Sequence, residues 1–324
     1  MRLLAQCLLL VLPFQVSGLV DENYSFQDFI AEFDKAYADA AEYEQRKVIF
    51  EKNLAIILSH NKGANPSQGG HVLGINEFAD QEAEELPRGY VKVPSTHSAA
   101  VDTSLSKSRR LDELPFALDD VSDLPKEVDW RAAGVTTPVK SQGMCGSCWA
   151  FASTAVMESH IAIQTGTLFS LSEQELVSCA PNVKHCGGTG GCAGATAELA
   201  FDWFAQKGAV QEWEFGYASY HGETVNCTLS DQPSRSFLKQ SAGSATKSTL
   251  YKGAVAGIMA YYQLPTNDYQ VMMNVLAKHG PVAVSVACLP WHLYQGGVFY
   301  APLNSTRATD VSKFCTIRCS SFRI

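Results

Sequence analysis

The sequence predicts an α+β fold preceded by a separate helical unit, and three observations carry that prediction. Apolar residues recur at three- and four-residue steps from Tyr24 to Ala38, and helix formers with a second apolar set follow from about Glu42 to Ser59. Late in the chain the pattern becomes extended, with Val282, Val284 and Val286 alternating with small residues and another run opening at Gly296 to Tyr300. Nine of the ten cysteines lie between Cys145 and Cys319, so the first unit and the body differ in chemistry. The 324 residues, 46% of them hydrophobic, suffice for one large or two medium cores.

Residues 1–18 read as a signal peptide: Arg2, the apolar run Leu3 to Leu12, then Val16-Ser17-Gly18 before a cut. That run is too short for a stable membrane span, and no later segment replaces it. A helical unit is expected over 19–80, its second helix ended by Asn61-Lys62-Gly63. Residues 81–123 change texture, with Pro87, Pro94, a Ser/Thr cluster and Arg109-Arg110, and read as an exposed connector open to proteolysis. The body opens at Leu124-Pro125. Its predicted helices run from Cys148 to about Gln164 before Gly166, from a capping box at Ser172 to Glu175, from about Ala195 to Lys207 before Gly208, and from about Asn267 to His279 before Gly280-Pro281.

Charge and compartment narrow the function. The formal net charge is -8, from 33 acidic and 25 basic side chains, and no Lys/Arg run gives a footprint for nucleic acid. A signal peptide sends the cysteines to an oxidising compartment, where disulfides form, and the sequons at Asn23, Asn226 and Asn304 suit the same route.

The densest chemical signal is Pro138-Val139-Lys140-Ser141-Gln142-Gly143-Met144-Cys145-Gly146-Ser147-Cys148-Trp149-Ala150-Phe151. Cys148 stands where a Gly- and Ser-rich loop becomes an apolar helix. A thiol there meets backbone N–H groups and the positive end of a helix dipole, which favours the nucleophilic thiolate. Gln142, six residues earlier, is placed to offer its amide N–H to an oxyanion. The same residues admit a Cys-x-x-Cys redox pair, a zinc site from Cys179, Cys186, Cys192 and His185, or a purely structural cysteine pair.

From about residue 24 to 310 the chain resembles a papain-family proenzyme of the cathepsin L-like type. Glu42, Arg46, Phe50, Asn53, Ile57 and Asn61 match one interspersed propeptide motif, and Gly74, Asn76, Phe78 and Asp80 match a second. The Cys-Gly-Ser-Cys-Trp string and Leu124 to Arg131 match the mature region. The resemblance implies a two-subdomain fold, a helical left subdomain and an antiparallel β-barrel right subdomain that is incomplete here. It implies an inhibitory prodomain whose downstream strand fills the active-site cleft in reverse. It implies Cys148 as nucleophile, Gln142 as oxyanion stabiliser, a rim at Gly194 and Ala195 that bonds substrate backbone, and an S2 pocket shaped by Ala197 and Val282. Disulfides Cys145–Cys192 and Cys179–Cys227 follow from it, with Cys186, Cys288, Cys315 and Cys319 unassigned and a Cys186–Cys288 bond one option. No metal or cofactor is expected. Protein or peptide substrates, a monomer, and a lysosomal, vacuolar or extracellular destination are.

The base and its orienting partner are where the resemblance stops. The family histidine belongs near Asp310-Val311, yet Ser312 to Ile324 contains no histidine and no Asn-Ser-Trp-Gly segment exists. The peptidase region is therefore expected over 124–311, incomplete, with 312–324 a tail outside the family pattern. The fallback base is His292, then His279. The chain is expected to be inactive, with β-strand edges left bare; a noncatalytic inhibitor of related peptidases, or a faulty gene product, is the alternative.

Overall fold

The computed structural model describes residues 20–63, 70–87, 89, 116–231, 250–265, 267–297 and 299, with the backbone alone at 109–110, 314–319 and 321–323. The leader 1–18 and the sequon at Asn304 lie outside the described residues. The chain forms two compact units, one of Met1–Leu86 with Leu289–Thr306 and the other of Pro87–Cys288 with Arg307–Ile324.

In the first unit, α1 (Phe26–Phe33) starts on a capping box in which Ser25 accepts from the Asp28 N–H and Asp28 accepts from Ser25. It ends at Asp34, whose left-handed backbone (φ 49°) stops the helix well before the predicted Ala38. Helix α2 (Ala40–Gly63) buries Ile49, Phe50, Asn53 and Ile57, residues three and four apart that share one face. Phe26, Phe29, Phe50, Ile57, Leu73, Ala79 and Leu293 form the core here. Strand β1 (His71–Leu73) pairs antiparallel with a strand from 294–297, later numbered β6.

The motif residues of this unit make its polar ties. Asn53, 3% exposed, donates from Nδ2 to the Ala79 and Gln81 carbonyls at 2.9 and 3.0 Å. Asn61 both donates to and accepts from the Leu73 backbone. Asp80 is buried against Lys35 Nζ at 3.2 Å and the Tyr37 hydroxyl at 3.0 Å. Arg46 reaches both carboxylate oxygens of Glu85. Burial alone would raise the Glu85 carboxyl, but the Glu82 N–H and Arg46 outweigh it and hold the group below its ordinary value.

The second unit contains β2 (Arg109–Arg110), β3 (Glu127–Asp129), α3 (Cys148–Thr165), α4 (Glu173–Cys179), α5 (Ala197–Lys207), β4 (Tyr262–Gln263), α6 (Tyr269–Lys278) and β5 (Val282–Ala287). With β6 (Tyr294–Gly297) in the first unit, β7 (Phe314–Cys319) and β8 (Ser321–Arg323) complete the chain. Its core gathers Trp149 and Met157 from α3, Leu176 and Val177 from α4, and Ala200 and Phe204 from α5. Thr196 and Asp268 cap α5 and α6, and Gly166 (φ 73°) ends α3 in the left-handed conformation. The capping box predicted at α4 is only half formed: Ser172 Oγ accepts from the Glu175 N–H, but the Glu175 carboxylate turns to the Val210 N–H at 2.9 Å.

Among the described residues the strands form four two-stranded pairs rather than a closed barrel: β1–β6, β2–β4, β3–β8 and β5–β7. Two expectations change. The edge of β5, expected bare, is paired antiparallel from Val282↔Cys319 to Ala287↔Phe314, so residues of the 312–324 tail supply its backbone partner. Arg109-Arg110, read as an open connector, pairs in parallel with Tyr262-Gln263. Among the described residues no helix is long and apolar enough to cross a membrane.

Candidate active site

Cys148 is the first residue of α3 and its thiol lies outside the disulfides, 5% exposed. The preceding loop is pinned at several points. Cys145 is bonded to Cys192, the Gly146 N–H donates to the Cys192 carbonyl at 3.0 Å, and Trp149 Nε1 donates to the Gly191 carbonyl at 3.2 Å. Gln142 Nε2 donates to the Cys145 carbonyl at 2.7 Å, which folds the amide back over the loop toward the start of α3. Ser147, the residue before the helix, makes no side-chain cap, because its hydroxyl meets the Tyr217 hydroxyl at 2.8 Å. No acidic residue occupies the first turn of α3, so the positive helix end is not offset from within the helix.

Gly89 lies directly on this site. A Cβ at position 89 would collide with Cys148 Sγ and come within 2.9 Å of the Gly146 carbonyl oxygen. On its other side the Gly89 carbonyl accepts from the Ala195 N–H at 3.0 Å, and a Cβ on Gly194 would stand 2.9 Å from that same carbonyl oxygen. A glycine is required because the backbone passes between sulfur and rim with no room for a methyl. Ala195 supplies the N–H that holds Gly89, and Gly194 takes a φ of 91°. Ala197 opens α5 and Val282 opens β5, both half-buried.

The rival readings of the cysteines meet direct corrections. Cys145 is bonded to Cys192 rather than to Cys148, so there is no Cys-x-x-Cys redox pair. Cys179 is bonded to Cys227, and with Cys192 also oxidised the zinc set loses two ligands. Cys186 is an exposed free thiol while Cys288 is disulfide-bonded, which excludes a Cys186–Cys288 bond.

The histidines have other contacts. His292, the fallback base of the sequence reading, has Nε2 2.9 Å from the Phe78 carbonyl oxygen within the first unit, and its carbonyl accepts from Asn76. His160 Nε2 is 2.9 Å from the Pro281 carbonyl oxygen. His279 meets the Phe116 ring at a tilt, with centroids 4.4 Å apart, and burial, then the charges of Lys278 and His160, lower its pKa.

Behind the site, Lys140 Nζ lies 2.7 Å from Glu173 and 3.3 Å from Glu158, both buried carboxylates. Burial pushes Glu173 up against the pull of Lys140. Glu175 is pushed up to about 8 by burial, only partly offset by the Val210 N–H and Trp203.

Sequence reasoning missed Gly89, Tyr217, Ser147 and Gln174. A glycine directly after Pro87-Arg88 was visible as a place needing close backbone approach, whereas nothing in the spacing links Tyr217 to Gln142.

Comparison with known proteins shows what the chain is similar to. Residues 124–315 match the family model described as papain family cysteine protease, and residues 26–86 match the cathepsin propeptide inhibitor domain. Cysteine protease XCP2 of Arabidopsis thaliana is 32% identical over 85% of this chain and 67% of its own length. Procathepsin L of Mus musculus is 32% identical over 83% of this chain and 70% of its own. The recombinant stem bromelain precursor superposes with a TM-score of 0.65 at 26% identity, covering 91% of this chain and 80% of that one. Digestive procathepsin L 3 of Tenebrio molitor, at 24% identity and a TM-score of 0.67, covers 92% of this chain and 83% of its own and speaks to the fold alone.

Proposed function

The chain belongs to the papain family of cysteine proteases, as a precursor with a cathepsin-type propeptide domain, and from that premise we propose that Cys148 is its nucleophile and that Gly89 keeps it covered. The observation that carries the proposal is a single one: the Cys148 thiol opens α3 under a glycine backbone held by Ala195, with Gln142 Nε2 folded over the same loop.

In the proposed reaction the Cys148 thiolate attacks a peptide carbonyl carbon. The S–C bond forms as the carbonyl π pair moves to oxygen, and that oxygen is met by the Gln142 amide and the Cys148 N–H. Collapse breaks the C–N bond and expels the amine, which takes a proton from water, and a water molecule then adds to the thioester carbon so that the S–C bond breaks, releasing the acid and returning the Cys148 thiol. Gly194 and Ala195 hold the substrate backbone, as the Ala195 N–H holds Gly89, and Ala197 and Val282 favour an apolar P2 side chain. No metal or organic cofactor enters these steps. Since His160, His279 and His292 each meet other groups, we propose that residues 1–324 form the thiol adduct readily and release product slowly.

The boundaries proposed are a leader over 1–18, a prodomain over 19–80, a connector to 123, and the peptidase from 124 to 311 before the tail. The leader sequence and the disulfides support passage through the secretory pathway to a lysosome, a vacuole or the outside, and the proposed state is a monomer. Exposed Asn23 and Asn226, and Asn304, are the proposed glycan acceptors.

The test is labelling of the full chain at pH 5 with a peptidyl fluoromethyl ketone bearing an apolar P2 residue, the adduct being located by mass mapping. The expected adduct is on Cys148 and is lost in Cys148→Ser. An adduct elsewhere, or one that survives Cys148→Ser, overturns the proposal.

A further inference from the structure

The nucleophile and the oxyanion amide come from one loop, and that loop is held from outside by the segment that follows α5. The Tyr217 hydroxyl donates to the Gln142 carbonyl at 2.8 Å. Its single proton being used there, the same oxygen accepts from Ser147 Oγ, also at 2.8 Å. One phenol oxygen therefore ties the backbone of the oxyanion residue to the residue immediately before Cys148. The ring is fixed by an edge contact with Phe151, one turn into α3, at 4.8 Å between centroids. Three residues on, the Tyr220 carbonyl accepts from the Met144 N–H at 2.8 Å, so the strap meets the loop twice.

The strap is in turn anchored on α4. Gln174 is fully buried, its Oε1 accepts from the Ala218 and Ser219 N–H groups at 2.7 and 3.1 Å, and its Nε2 donates to Ser219 Oγ at 2.9 Å. Ser172 Oγ donates to the Phe215 carbonyl. The phenol thus sits at the end of a fully hydrogen-bonded chain from helix to loop, and its position is not its own to adjust.

We infer that Tyr217 is a positioning residue for acyl transfer: it sets the Gln142 amide against the Cys148 sulfur by holding Gln142 and Ser147 on one oxygen. The inference rests on the reading of Cys148 as nucleophile. Moving a preorganised donor by a fraction of an ångström weakens it where charge develops on oxygen, and leaves the reactivity of the sulfur itself alone.

The test uses the full chain with Gly89→Ala, which clears the sulfur, and a dipeptidyl aldehyde as probe. The thiol adds across the aldehyde: the S–C bond forms, the carbonyl π bond breaks, and the oxygen takes the thiol proton at the oxyanion position, with no further base needed. Tyr217→Phe in this background should weaken aldehyde binding about tenfold, the loss of one well-placed hydrogen bond. Alkylation by iodoacetamide, which builds no oxyanion, should stay within about twofold of the parent. In Gln142→Ala the further change Tyr217→Phe should add no loss, because both act through the same amide. Aldehyde affinity unchanged by Tyr217→Phe, losses that multiply in the double variant, or an equal fall in alkylation would each overturn the inference. Should Tyr217→Phe not fold, Ser147→Ala removes one partner of the phenol and keeps its ring; it should weaken the aldehyde and spare alkylation, and unchanged affinity contradicts the inference. If the Gly89→Ala parent itself binds no aldehyde, the reading of Cys148 falls, and this inference with it.

Discussion

Gly89 and Cys148 are in such close register that a single methyl on the glycine would overlap the sulfur. The Gly89 carbonyl is held at 3.0 Å by the Ala195 N–H, so the segment cannot shift sideways without losing that bond. Gly89→Ala should therefore expose the thiol. Iodoacetamide should alkylate Cys148 at least about tenfold faster than in the unaltered chain, since local opening then costs about 1.4 kcal/mol less. An unchanged rate would show that residue 89 does not gate the sulfur.

Two imidazoles in the first unit face each other, His60 from α2 and His71 from β1, with ring centroids 4.5 Å apart. His60 Nε2 is also 3.1 Å from the His71 carbonyl oxygen, and the aromatic rings of Tyr294 and Phe299 lie beside His71. Burial, then the charge of His60, lowers the His71 pKa from its ordinary 6.5. A lowered folded value means that protons favour the unfolded state, so the contribution is present above pH 6.5 and is lost as pH falls through the folded value. Glu85, also lowered, adds a second loss below its ordinary 4.5. Protection factors of the β1 amides, exchange rates corrected for the intrinsic pH dependence of amide exchange, should fall from pH 7.5 to 5.5, and His71→Gln should flatten that fall. A fall of equal size in His71→Gln would assign the acid response to other groups.

Acid should act in the opposite sense on the second unit. Glu175 has a raised folded value of about 8, so its contribution is fully present below the ordinary 4.5 and is lost as pH rises through about 8. The melting temperature of this unit should fall from pH 6 to pH 9. Glu175→Gln keeps an acceptor for the Val210 N–H and has no charge to bury, so the fall should be smaller in it. Parallel curves for the two proteins would contradict the assignment.

Asn53 ties α2 to two backbone carbonyls, and its bond to the Ala79 carbonyl is buried. Asn53→Ala should destabilise the first unit by about 1–3 kcal/mol, the cost of leaving a buried acceptor unpaired. Urea unfolding followed by exchange of the α2 amides measures it, and a loss under about 0.5 kcal/mol, the range of ordinary surface changes, would count against the role.

Much of this was legible from local chemistry. The stops at Gly166 and Gly208 and the start at Cys148 were read correctly because glycine and apolar periodicity act within one turn. The α1 stop was misread: apolar spacing continues to Tyr37, but Asp34 turns the backbone left-handed. The Glu175 carboxylate was assigned to its own helix end and instead satisfies Val210, a partner 35 residues away. Tyr217 was missed for the same reason, since a contact spanning many residues leaves no periodic trace, and Gly89 because a glycine shows a need for close approach without naming what approaches. Pairing of β5 with β7 was also unreadable, because the tail lacks the family's motifs and strand pairing needs only backbone.

The pH dependence of Cys148 alkylation tests the whole account most directly, measured by mass mapping of the Cys148 adduct on the full chain carrying Gly89→Ala with Cys186→Ser, which removes the other free thiol among the described residues. A nucleophile at the start of α3 should reach half its maximal rate below about pH 7.5, under the ordinary thiol value of about 8.5. A midpoint at or above about 8.5, that of an unassisted cysteine, would contradict it.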